Sequence, residues 1–111
     1  MQVNEYQFAA LRTLNPNLSN KELLIDGALG LCGESGECAD IVKKYLAQGH
    51  VLDKEKLIKE LGDVAWYLAI TAEALEVSLE SVFQQNIDKL TARYPTGFDK
   101  NRSKFRAPND V

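Results

Sequence analysis

Four carboxylates stand out by their spacing. Glu34 and Glu37 lie three residues apart in GLCGESGECAD, residues 30–40. Glu60 and Asp63 repeat that spacing in KELGD, residues 59–63. Residues three apart are neighbours on a helix surface, so each pair offers two carboxylates on one turn. Two such helices facing each other bring four carboxylates to one spot. A donor set made only of oxygen selects a hard divalent cation, Mg²⁺ or Mn²⁺. Asp40 follows Glu37 by three residues, and Lys44 follows Asp40 by four. Asp40 is read as a further ligand, a supporting acid or the ion-pair partner of Lys44.

A second group carries the opposite charge. In QNIDKLTARYP, residues 85–95, Asn86, Lys89 and Arg93 form one helical stripe at i, i+3 and i+7. Alone, such a stripe is a solvated face; beside a carboxylate-bound metal it is a phosphate clamp. Lys44 is a lesser phosphate candidate. Trp66 and Tyr67 offer either a stacking surface for a base or ordinary packing. Metal, cations and aromatics together suit a nucleoside polyphosphate. Cys32 and Cys38 sit about 240° apart around one helix, cannot bridge each other and lack zinc-type spacing. They read as small core or half-buried residues, and the lone His50 as a loop residue.

The elements that must position these groups are helical. A chain of 111 residues, 45% hydrophobic and 26% charged, makes one globular domain. Its formal net charge of -3 argues against nucleic-acid binding. No apolar run is long enough to span a membrane, and MQVNEYQF has no leader pattern, so a cytoplasmic protein is expected. Helices are expected over residues 3–14, 20–47, 54–76 and from Ser78 or Glu80 to about 94. Ser19 and Glu22 form a capping box for the second helix, Gly49 its C-terminal cap, and Asp53 the N-cap of the third. No strand alternation occurs, so the fold class is all-α, a four-helix bundle. The basic tail, residues 99–111, is expected to be loosely attached or ordered by a partner.

On the second helix, Leu24, Ala28, Leu31, Ala39, Val42 and Leu46 are expected to form the packed face, with the acids opposite. Glycine inside a helix costs about 1 kcal/mol relative to alanine, yet Gly27, Gly30, Gly33 and Gly36 all lie there. They make sense where a backbone or ligand must come close. On the third helix, Leu57, Leu61, Val64, Leu68, Ala72 and Leu75 form the main apolar face, and Trp66, Tyr67 and Ile70 widen it. A helix apolar on most of its circumference needs more cover than one short chain supplies, so a homo-oligomer is expected.

At these residues the sequence resembles the MazG-type all-α nucleoside triphosphate pyrophosphohydrolases. GESGE (33–37) with KELGD (59–63) resembles the family's Glu-x-x-Glu … Glu-x-x-Asp signature. The segment from Asn86 to Pro95 resembles its third motif, and EYQFAALRT (5–13) the N-terminal helix of small members. The resemblance covers residues 5–98 and implies a family domain over 1–98. It implies Glu34, Glu37, Glu60 and Asp63 as metal ligands, with Glu34 or Glu37 as general base. Asn86, Lys89 and Arg93 would hold phosphates, with Tyr94 near the base. The implied reaction is Mg²⁺-dependent cleavage of a nucleoside triphosphate to the monophosphate and pyrophosphate, for nucleotide-pool house-cleaning. The implied assembly is a homo-dimer or homo-tetramer with helices packing across subunits. Many members carry an extra acid where this chain has Gly33, so that acid's role does not transfer. One rival, a pyrophosphohydrolase of the phosphoribosyl-ATP type, shares the acidic helices; the other, a non-catalytic nucleotide-sensing helical module, has no reason to keep four converging carboxylates.

Overall fold

The computed structural model describes residues 1–111. It is all-helical: α1 (Val3–Ala10), a 3₁₀ turn (Leu11–Thr13), α2 (Asn20–Ala47), α3 (Lys54–Ala74), α4 (Leu79–Arg93) and a short α5 (Lys100–Lys104). Residues 1–79 form one compact unit and residues 80–111 another. No helix is long and apolar enough to cross a membrane.

Local chemistry sets most boundaries. The Ser19 hydroxyl accepts the Glu22 N–H at 3.1 Å, and the Glu22 carboxylate accepts the Ser19 N–H at 3.2 Å. That reciprocal cap starts α2 at Asn20, and Gly49, with φ +72°, follows its end. The Asp53 carboxylate caps α3 through the Lys56 N–H. α3 stops two residues short of expectation because Glu76 adopts a left-handed φ of 59°. The Val77 N–H then returns to the Ala72 carbonyl and the Glu76 N–H to that of Glu73, closing a Schellman turn.

α1 is also shorter than expected, and the cause is distant in sequence. The Trp66 indole N–H donates to the Ala10 carbonyl at 3.1 Å and to the Thr13 hydroxyl at 3.0 Å. Thr13 in turn donates to Ala10. With that carbonyl taken, the Leu14 N–H bonds to Leu11 and the last turn tightens to 3₁₀. The buried Gln7 ties α1 to the α3–α4 turn. Its Nε2 donates to the Val77 carbonyl at 3.3 Å, and its Oε1 accepts the Leu79 N–H at 2.7 Å. Around these bonds Ala10, Ala69 and Leu79 form the core, with Val3, Tyr6, Trp66 and Leu68 against it.

α2 and α3 run antiparallel, and they meet on the face not expected to pack. Buried on α2 are Leu23, Gly27 and Ile41. A side chain at Gly27 would strike Thr71, and one at Gly30 would strike the Tyr67 ring. The glycine face thus lets α3 side chains lie directly on the α2 backbone, which the bulkier stripe cannot allow. That stripe instead faces outward, with Leu46 74% and Leu24 38% exposed. α3 spends one side on α2 and another on α1, so Ile58 and Leu61, at 66% and 56%, remain uncovered. In the second unit, Val82, Phe83, Ile87 and Leu90 of α4 are 37–56% exposed.

The glycines divide into two classes, because a side chain at Gly33 or Gly36 meets nothing. Gly33→Ala is expected to stabilise the chain by about 1 kcal/mol through helix propensity. Gly30→Ala gains the same propensity but overpacks Tyr67, at a cost of about 1–3 kcal/mol. Urea unfolding should therefore rank Gly33→Ala above wild type and Gly30→Ala well below Gly33→Ala. Destabilisation by Gly33→Ala would place a second chain against it.

Candidate metal centre

The α2–α3 contact carries Glu34 into place. It lies one turn beyond Gly30, while Glu60 and Asp63 lie two turns and one turn before Tyr67 on the antiparallel α3. Carboxylate oxygens of Glu34, Glu60 and Asp63 all come within 4.8 Å of one another. Glu34 and Glu60 are half-buried, and Asp63 is exposed. Glu37, the fourth expected ligand, is exposed one turn along α2 and stands outside this group.

The cluster is electrostatically unbalanced. The ion pairs at Asp40 and Asp110 do not involve its acids. The Glu34 carboxyl is held above its usual value by a hydrogen bond with Glu60, then by desolvation, then by the negative charges of Asp63, Glu60 and Glu37. A carboxyl–carboxylate hydrogen bond needs a proton between its partners. A divalent cation would replace that proton and offset two of the three carboxylate charges. The donor set is oxygen only, as a hard cation requires, and the residues present fit Mg²⁺ or Mn²⁺.

Two tyrosines feel the charge of the cluster, and Asp26 acts on one of them, Tyr67. Burial, then Asp63, raises the Tyr6 hydroxyl. Burial, then Asp26, Glu34 and Asp63, raises that of Tyr67. Both therefore remain protonated donors beside the acids. The i, i+4, i+8 spacing of Asp26, Gly30 and Glu34 was the available signal for Asp26.

The other expected site residues divide among different surroundings. Trp66 and Tyr67 meet edge-on, with ring centroids 5.0 Å apart. Trp66 is bonded to α1 and Tyr67 covers Gly30, so both have packing roles. Lys44 pairs with Asp40 at 2.9 Å, and Lys43 does so at 3.2 Å. Asn86, Lys89 and Arg93 lie on α4 in the second unit. Arg93 there pairs with Asp110, and Tyr94 lies 5.6 Å from the Phe98 ring. The tail, expected to be loosely attached, carries α5 and supplies that Asp110.

The family model of the MazG nucleotide pyrophosphohydrolase domain matches residues 26–98. The chain is similar to the Gene 37 protein of Mycobacterium phage L5, at 39% identity over 87% of this chain and 92% of that protein. It is also similar to the uncharacterized protein YvdC of Bacillus subtilis strain 168, at 36% identity over 58% of this chain and 69% of that protein. Neither relative's name states an activity. No solved structure matches the chain.

The raised Glu34 sets a pH dependence. Between the ordinary value of 4.5 and its raised value the folded state binds more protons than the unfolded state, so stability falls as pH rises. In EDTA, Glu34→Gln is therefore expected to be more stable than wild type at pH 7, with the difference closing toward pH 4. Saturating Mg²⁺ should shrink or reverse it, because metal stabilises only the chain that binds it. Denaturant unfolding at the two pH values, with and without Mg²⁺, measures this.

Proposed function

The chain belongs to the MazG nucleotide pyrophosphohydrolase domain family, and from that premise we propose that it cleaves a nucleoside or deoxynucleoside triphosphate between the α and β phosphates. The products are the nucleoside monophosphate and pyrophosphate. The observation that carries the reading is the convergence of Glu34 from α2 with Glu60 and Asp63 from α3. Three acids with no cation among them repel one another, and a divalent ion relieves that repulsion. Glu37, exposed one turn on and outside that group, would have to swing in to complete the ligand set.

Bound Mg²⁺ or Mn²⁺ supplies an acidified water and charge stabilisation at the phosphorus under attack. Glu34 or Glu37 takes the water's proton. Asn86 donates to phosphate oxygens, and Lys89 and Arg93 neutralise the departing pyrophosphate. Tyr94 is the remaining candidate for the base, since Trp66 and Tyr67 are engaged in packing. Lys44, tied to Asp40, is at most a distant phosphate contact. Clearance of unwanted nucleotides is the proposed role.

The working unit is a homo-dimer or homo-tetramer. Leu24, Val42 and Leu46 on α2, with Ile58 and Leu61 on α3, are all more than a third exposed, and such apolar surface suits an interface. A second copy of the chain covers it. Light scattering should return a mass at least twice the 12.4 kDa of one chain at every working concentration. A concentration-independent monomer contradicts the assembly.

The reaction is tested by pyrophosphate release from a panel of canonical and modified triphosphates. Release should require Mg²⁺ or Mn²⁺ and stop in EDTA. Loss even of outer-sphere partners costs 10–100-fold, so Glu60→Gln and Asp63→Asn should each lower activity by at least about 100-fold with helicity unchanged. No release from any triphosphate with either metal overturns the reading.

A further inference from the structure

The second unit holds a cavity of about 420 Å³ between the end of α4 and the tail, lined among others by Lys89, Arg93, Arg102, Phe105, Arg106 and Asp110. Four of those six are cations and one is an anion. The anion is committed to a single partner. Asp110 grips Arg93 in a fork, Nε to Oδ2 at 2.8 Å and Nη2 to Oδ1 at 2.7 Å. The two side chains are only 10% and 17% exposed. This is the geometry a guanidinium uses for carboxylate and phosphate alike. Arg93, with Arg106 and Lys89 behind it, holds the Asp110 carboxyl below its usual range.

We propose that the tail is a strap: Asp110 occupies the phosphate place on Arg93, and an incoming polyphosphate displaces it to bind Lys89, Arg93 and Arg102. This rests on the assignment of Lys89 and Arg93 to phosphates made above. Release is mechanically small. α5 keeps its own N-cap, the Asp99 carboxylate, which accepts the Asn101 and Arg102 N–H groups at 2.8 and 3.1 Å. Only the segment beyond Lys104, which has no regular structure up to Asp110, has to lift. A carboxylate on so short a tether competes at an effective concentration of order mM. A single phosphate carries about −2 charge, less than the three positive charges of Lys89, Arg93 and Arg102 that remain once the strap lifts. The strap therefore discriminates in favour of ligands with several linked phosphates.

Calorimetric titration of the full-length protein with inorganic pyrophosphate, without metal, tests this. Freeing Arg93 removes the fraction held closed, so Asp110→Asn should tighten binding by at least about threefold, while Arg102→Ala weakens it about as much and Asp88→Asn shifts it by less than about twofold. Asp88 makes the same charge change on α4 but bonds to Gln84 rather than Arg93. Unchanged affinity in Asp110→Asn, an equal gain in Asp88→Asn, or no pyrophosphate binding by wild type and Asp110→Asn overturns the strap. Nucleotide hydrolysis is read separately. An Asp110→Asn effect without hydrolysis sinks the enzymatic reading and keeps the strap, and hydrolysis without that effect does the reverse.

Discussion

The close approach of α2 to α3 at Gly27 and Gly30 is the contact on which the rest depends. Only glycine leaves room for Thr71 and Tyr67 to lie on the α2 backbone. Those two seats fix both the spacing and the register of the helix pair. Register then decides the chemistry, because it brings Glu34 level with Glu60 and Asp63. Packing and site are one contact, and a helix built for propensity alone could not make it. The same contact sets Glu34 against Glu60, and their hydrogen bond, then desolvation, then the neighbouring negative charges, raises the Glu34 carboxyl.

α3 is the shared wall of this arrangement. Tyr67 and Thr71 face α2, while Trp66 reaches α1 and sets where that helix ends. Ala69, Ile70 and Ala72 are buried nearly completely between these demands. With two sides committed, the side bearing Ile58 and Leu61 has no cover within the chain, and the apolar stripe of α2 is in the same position. The first unit thus spends its best packing on aligning carboxylates and leaves Leu46, Ile58 and Leu61 exposed.

Much of this was legible in the residues. α2 runs over the expected span because its start is written locally in Ser19 and Glu22, and Asp53 marks α3 in the same way. The i, i+3 acid pairs pointed to the cluster, and the glycines to a close approach. What could not be read depends on partners far along the chain. Periodicity finds an apolar stripe but not which stripe packs, so the outward face of α2 was taken for the inward one. The end of α1 is decided by Trp66, 56 residues away. Glu37 shares the spacing of a ligand, yet its turn lies beyond the meeting point of the three clustered acids. The pairing of Arg93 with Asp110 spans 17 residues and carries no local pattern.

Glu34, Glu60 and Asp63 are proposed to hold a divalent cation. Titration with Mn²⁺, followed by electron paramagnetic resonance of the free ion, reads that binding without any substrate. Saturable binding by the wild-type chain should be lost in Asp63→Asn and in Glu34→Gln while both variants keep their helicity. Mn²⁺ binding of undiminished affinity in those variants, or none in the wild type, would contradict the proposal.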